Sequence, residues 1–108
     1  MTVYNVTLNA VNTIIAGHTR GVYELFPGDG TLKFDFTLWD ANTYDADPAV
    51  TRTNDHFGNP AFVNAPGGDY HIGVDSPARD AGLDVGVVTD IDGDARDDLP
   101  DIGADEYK

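Results

Sequence analysis

A chain of 108 residues with 41% hydrophobic content is long enough for a single domain with its own core. Its 19 acidic and 6 basic residues give a formal net charge of −13, which argues against nucleic-acid phosphates and anionic membrane surfaces as partners. There is no cysteine, and no apolar run reaches the roughly 18 residues of a membrane-spanning helix.

The start, Met1-Thr2-Val3-Tyr4-Asn5, has no basic stretch leading into an apolar one, so no signal peptide is expected in this chain. Asn5-Val6-Thr7 matches a glycosylation sequon by pattern alone. Three short β-type runs follow, at Val3–Ala10, Asn12–Ala16 and Gly21–Leu25. In Thr31–Trp39, the residues Leu32, Phe34, Phe36 and Leu38 alternate with Lys33, Asp35 and Thr37, the pattern of a half-buried strand. Asn12–Ala16 and Asp35–Trp39 share a polar-apolar pattern at a spacing of 23 residues, close to the length of one coil of a parallel β-helix. The same two copies also fit an antiparallel sandwich. Gly17-His18 and Pro27-Gly28-Asp29-Gly30 read as corners.

From Asp40 to Asn64 the pattern loosens into Asn, Asp, Thr and Pro. Asp47-Pro48-Ala49-Val50 and Asn59-Pro60-Ala61-Phe62 form a repeated element suited to an extended lead into a strand. Tyr70 and Ile72, alternating with His71, predict a further short strand. Ser76–Gly82 carries the only helical signal, with Ser76 as N-cap, Pro77 in the first position and Gly82 as terminator. Only Glu24 and Glu106 are glutamates among the acids. Aspartate ties off turns whereas glutamate favours helices, so the composition points to a turn-rich all-β fold.

The chain ends in a dense run of motifs: Asn59-Pro60-Ala61-Phe62-Val63-Asn64, Gly68-Asp69-Tyr70-His71-Ile72 and Ser76-Pro77-Ala78-Arg79-Asp80-Ala81-Gly82, then Asp90-Ile91-Asp92-Gly93-Asp94-Ala95-Arg96 and Asp101-Ile102-Gly103-Ala104-Asp105-Glu106-Tyr107. This run resembles the C-terminal end of secreted bacterial right-handed parallel β-helix proteins of the choice-of-anchor type. The resemblance covers residues 59–107 closely and the preceding fifty more loosely. It implies the terminal coils of a right-handed parallel β-helix (residues 1–58) with a loop-rich C-terminal cap (residues 59–108) in one domain. It also implies an extracellular or cell-surface setting and an adhesin-like, non-enzymatic role in capping the stack and supporting anchoring. The cap is expected to fold across the terminal coil with Ile102 and Tyr107 tucked in. The amino-terminal edge would then be raw, open to a homo-oligomer or sealed by Val3–Ala10.

Asp90, Asp92 and Asp94 alternate on a tight loop, with Asp98 and Asp101 at EF-hand-like offsets, a carboxylate set suited to Ca2+. The pattern departs from that loop, since Ala95 stands where glycine is wanted and Gly93 comes two residues early. The competing expectation is that Arg96 pairs with one or two of these aspartates while the others cap turns. For catalysis the chain offers little. His18, His56 and His71 share no spacing, and no Gly-x-Ser-x-Gly, His-Glu-x-x-His or phosphate loop occurs. A carbohydrate-binding or carbohydrate-processing module is an alternative, with Trp39 and Tyr44 as the polysaccharide platform, although aromatics in a small β domain more often serve as core or cap anchors. A self-associating interaction domain is a further one.

Overall fold

The structure is a computed structural model that describes residues 2–3, 7–24 and 30–108. The expected corner at Pro27–Gly30 and the middle of the run Val3–Ala10 fall largely outside the described residues. The architecture is all-β. Its strands are β1 (Thr2–Val3), β2 (Thr7–Ala16), β3 (Arg20–Glu24), β4 (Thr31–Asp40), β5 (Tyr44–Ala46), β6 (Thr51–Thr53), β7 (His56–Phe57), β8 (Phe62–Asn64) and β9 (Asp69–Ile72). Helical structure among the described residues is one 3-10 turn at Ala65–Gly67. The helical signal at Ser76–Gly82, long enough only for a turn or two, forms tight turns closed by Arg79 N–H to Ser76 O and Ala81 N–H to Ala78 O.

Two parallel sheets carry the first half, in the orders β1-β3-β5 and β2-β4-β6, with β7 also pairing β4. β1 lies 21 residues before its partners on β3, Thr2 beside Tyr23, while the β2–β4 and β3–β5 pairings share one spacing. Thr7 pairs Thr31, Ala10 pairs Phe34, Ile15 pairs Trp39 and Arg20 pairs Tyr44, each 24 residues on. The next step is shorter: Phe34 pairs Arg52 and Trp39 pairs Phe57, 18 residues on. The 23-residue spacing read from the sequence is therefore off by one. The true register is pinned by left-handed residues, Asn12 (φ 56) and Phe36 (φ 53) inside β2 and β4, and Asn54 (φ 50) between β6 and β7. They fall one above another, because Asp35 pairs Val11 and Thr53 while Leu38 pairs Ile14 and His56. Each such residue bends the chain and changes which neighbours face inward. Placing a phenylalanine there costs on the order of 1–2 kcal/mol, which the stacked neighbours must offset.

Of the run Val3–Ala10, the described parts lie at the ends of two different sheets, β1 on β3 and β2, from Thr7, beside β4.

The main core lies between the parallel sheets and consists of Ile15, Val22, Leu32, Phe34, Trp39 and Val50. Trp39 is 1% exposed, with Phe34 at 5.9 Å centroid to centroid. At the third step the inward position opposite Phe34 is Arg52, whose guanidinium lies 4.7 Å over the Trp39 ring. Asp55 holds that guanidinium at 2.9 Å and accepts the Trp39 indole N–H at 2.9 Å. The apolar stack thus ends on a charged plug.

A second cluster, Leu38, Ile72, Ala78 and Ile102, lies on the other side of β4, with Ile14, Phe62, Ala81 and Tyr107 packed on it. Ile102 is fully buried and Tyr107 half-buried, as expected for the closing segment. These contacts run along the flank of β2 and β4, however, and Phe57 on the last rung stays 61% exposed. The segment is stitched to β2 through Asn12. Its amide donates to Leu83 O (2.7 Å) and accepts from Leu83 N–H (2.8 Å), while its backbone O accepts from Gly103 N–H (2.9 Å). Gly103 has φ +103, a backbone conformation that favours glycine, and an added Cβ would sit 2.8 Å from the Ile14 terminal methyl, which would have to move.

Candidate functional site: an acidic loop and its histidine

The acidic loop is a hairpin turn. Asp90 N–H bonds Asp94 O, Gly93 N–H bonds Asp90 O, and Thr89 bridges Ala95 antiparallel. Gly93, at φ 80, turns the chain back at once. That early turn is why the five-aspartate set does not assemble. Asp90, Asp92 and Asp94 converge, with carboxylate oxygens within 4.8 Å of one another, but Asp98 and Asp101 do not join them. Asp101 is 2% exposed, and its two oxygens accept the N–H groups of Asp80 and Tyr107, each at 2.7 Å. Its carboxylate is a backbone anchor.

Asp90 also serves the backbone. Its Oδ1 accepts from Asp92 and Asp94 N–H and its Oδ2 from Glu106 N–H, all at 2.9 Å. Partial burial works against its charge, but these three donors, with Arg96 nearby, outweigh that and hold its carboxyl below the usual range.

Arg96 is the counter-ion here, but its partner is not an aspartate. The guanidinium, 9% exposed, meets Glu106 at 3.2 Å and donates to Asp101 O and Gly103 O. Glu106 also accepts from Asp101 N–H at 2.9 Å. The Arg96 Nε is buried without a partner among the described residues.

Sequence reasoning missed His71. On β9, Asp69 and His71 are two residues apart and so share a face. That period-2 spacing was the available signal. Asp69 Oδ1 meets His71 Nδ1 at 2.5 Å and accepts His71 N–H at 3.1 Å. The other ring nitrogen, Nε2, meets Asp92 Oδ2 at 2.6 Å. The bond to Asp69, then that to Asp92, raises the imidazole to about 9, and Asp69 is lowered chiefly by the same bond. His71 Nε2, Asp92 and Asp105 form a second group with ligand atoms within 4.8 Å. Asp105 is 6% exposed, and burial raises its carboxyl.

The expected aromatic platform is not formed. Trp39 is core, and the burial that makes it so follows from its register with Ile15. Tyr44 is 65% exposed at the start of β5 and stands apart from it.

No protein-family model, curated protein or solved structure matches this chain.

Proposed function

We propose that this chain is the closing end of a right-handed parallel β-helix of the choice-of-anchor type from a secreted or surface bacterial protein. In this reading it is non-enzymatic: it terminates the stack and presents a rigid acidic face for anchoring or adhesion. The observation that carries the reading is a 24-residue parallel register that recurs in two different sheets, β2 on β4 and β3 on β5. One turn of chain per layer gives such a register, whereas a sandwich of hairpins gives antiparallel neighbours. Supporting it, residues 59–108 cover Ile14 and Leu38, which would otherwise be apolar side chains on an outer face.

Sedimentation of the full chain against residues 1–58 tests this reading. The full chain should stay dispersed and the shorter piece should associate or unfold; a folded, monomeric 1–58 would refute the closing role. Calcium belongs to the proposal as a stabiliser at Asp90, Asp92 and Asp94. Saturation at a hundredfold over Kd would add about 2.7 kcal/mol, a rise of several degrees in Tm that magnesium should not reproduce.

Self-association is a second reading, favoured by one feature. β2 is the terminal strand of its sheet and carries no charged residue, although 23% of the chain is charged. Charges on an edge strand discourage pairing between molecules, and β2 lacks that protection. Asn9→Lys should then lower any dimer fraction seen by ultracentrifugation. A parent chain that is monomeric at high concentration would count against the reading.

A further inference from the structure

We propose that His71 Nε2, Asp92 and Asp105 form a site for a borderline divalent transition metal of the zinc class, which clamps β9, the 90–94 hairpin and the C-terminal tail together. The site is separate from the stack-closing reading and does not depend on it. Three elements far apart in sequence bring these donors within 4.8 Å of one another. Around a single ion at ~2.1 Å they would stand roughly 3.3 Å apart, so the adjustment falls mainly on the exposed Asp92 side chain.

Two features set this group apart from a mere acidic cluster. First, His71 Nδ1 is held by Asp69, which fixes the ring's direction and aims Nε2 at Asp92 Oδ2, 2.6 Å away, where a metal would take the place of the proton now shared between them. A carboxylate behind an imidazole is the arrangement that orients and strengthens metal-binding histidines. Second, Asp105 is 6% exposed, yet the one hydrogen bond to its carboxylate among the described residues comes from Ile72 N–H at 2.9 Å. The rest of that carboxylate borders an open pocket of about 220 Å³, also lined by His71, Asp92 and Asp94. A buried carboxylate with one hydrogen bond is costly to keep charged; the His71 imidazole offsets part of that cost, and a divalent ion shared with His71 would offset more. Neither observation depends on the Asp90 turn.

The donor set also selects the metal. Imidazole with two carboxylates suits Zn2+, Co2+ or Ni2+, whereas Ca2+ and Mg2+ prefer oxygen donors alone. Asp92 belongs to both this group and the Asp90–Asp94 group, so a transition metal would draw Asp92 toward His71 and away from a calcium ion.

The test is titration of the full, EDTA-stripped chain with Zn2+ by calorimetry and with Co2+ by visible absorption. One ion per chain is expected. His71→Gln and Asp105→Asn should each weaken binding by about 100-fold, and Asp69→Asn by ~10–100-fold through loss of ring orientation. Asp98→Asn should change nothing. Absence of saturable Zn2+ binding, or His71→Gln binding as the parent does, overturns the site. Should Asp105→Asn fail to fold, the unmodified chain still decides the matter by nitrogen-15 NMR of its imidazoles. Zn2+ should shift His71 Nε2 and leave His18 and His56 in place; equal shifts on all three, or a shift confined to His71 Nδ1, overturn it. Displacement of Zn2+ by equimolar Ca2+ would also overturn it, because the imidazole would then confer no selectivity.

Discussion

Residues 7–57 and residues 59–108 reach a folded state by different chemistry. In the first region each layer sets like against like: Leu8 on Leu32, Ala10 on Phe34 and Ile15 on Trp39. The backbone there is satisfied by neighbouring strands. The second region has one two-stranded hairpin and little other regular pairing, so its N–H groups go to carboxylates. Asp90, Asp101, Asp105 and Glu106 between them accept from Asp92, Asp94, Asp80, Tyr107, Ile72 and Asp101, and Asp90 also takes the Glu106 N–H. Buried acid is normally a liability, yet in a loop-rich segment it stands in for the missing strand partners. Much of the −13 charge is thus a consequence of how this half is built.

The sharpest way to break the contrast is through one residue of each region. Trp39→Ala removes the largest core side chain and should cost about 3–5 kcal/mol, read by denaturant unfolding. A loss under about 1 kcal/mol would mean that Trp39 is not core. Arg96→Met should cost about 3 kcal/mol, because it leaves Glu106 buried and unpaired while the Trp39 core is untouched. Proteolysis should then cut within residues 84–100 before it reaches β4. Asp101→Ala strands the N–H groups of Asp80 and Tyr107 and should cost roughly 1–3 kcal/mol, with the loss confined to hydrogen-exchange protection in the closing segment.

The smallest effect is expected from pH. His71 titrates near 9 when folded against 6.5 in its free form, so it binds its proton more tightly in the folded state. Its contribution is complete below about pH 6.5 and is lost as pH rises through about 9. In EDTA, Tm should fall modestly across that window, and His71→Gln should flatten the fall. The ring is 42% exposed, so solvent screens the effect.

What the sequence revealed follows the same division. Alternation marked β4, but the half-buried pattern holds only over Thr31–Phe34. Beyond the left-handed Phe36 both faces are covered, with Thr37, Leu38 and Trp39 all buried, so Thr37 is not the outward residue its place in the alternation predicts. The layer spacing was nearly legible, but the similar letters of Asn12–Ala16 and Asp35–Trp39 align at 23, while the left-handed pair Asn12 and Phe36 fixes 24. Phenylalanine gives no hint of positive φ, and the following 18-residue step leaves no third copy to arbitrate. Trp39 was readable either as a core anchor or as part of an exposed platform, and its register with Ile15 settles it as core. In the closing segment the aspartates of the 90–94 turn were visible, but not the partners that use them. Arg96 reaches Glu106 ten residues on, and His71 reaches Asp92 across 21 residues. Such pairings lie in tertiary geometry and leave no local period.

The central claim is the 24-residue parallel register, and cross-linking tests it most directly. The chain has no cysteine, so introduced pairs report without background. Asn9 and Lys33 are exposed register partners. Partners on neighbouring strands place Cα atoms about 5 Å apart, within reach of a disulfide. The doubly substituted Asn9→Cys, Lys33→Cys chain should close an intramolecular bridge on mild oxidation. Asn9→Cys, Leu32→Cys, one residue out of step, should stay reduced. Closure of the second pair in preference to the first, or bridges only between chains, would contradict the layered parallel fold on which the proposed function rests.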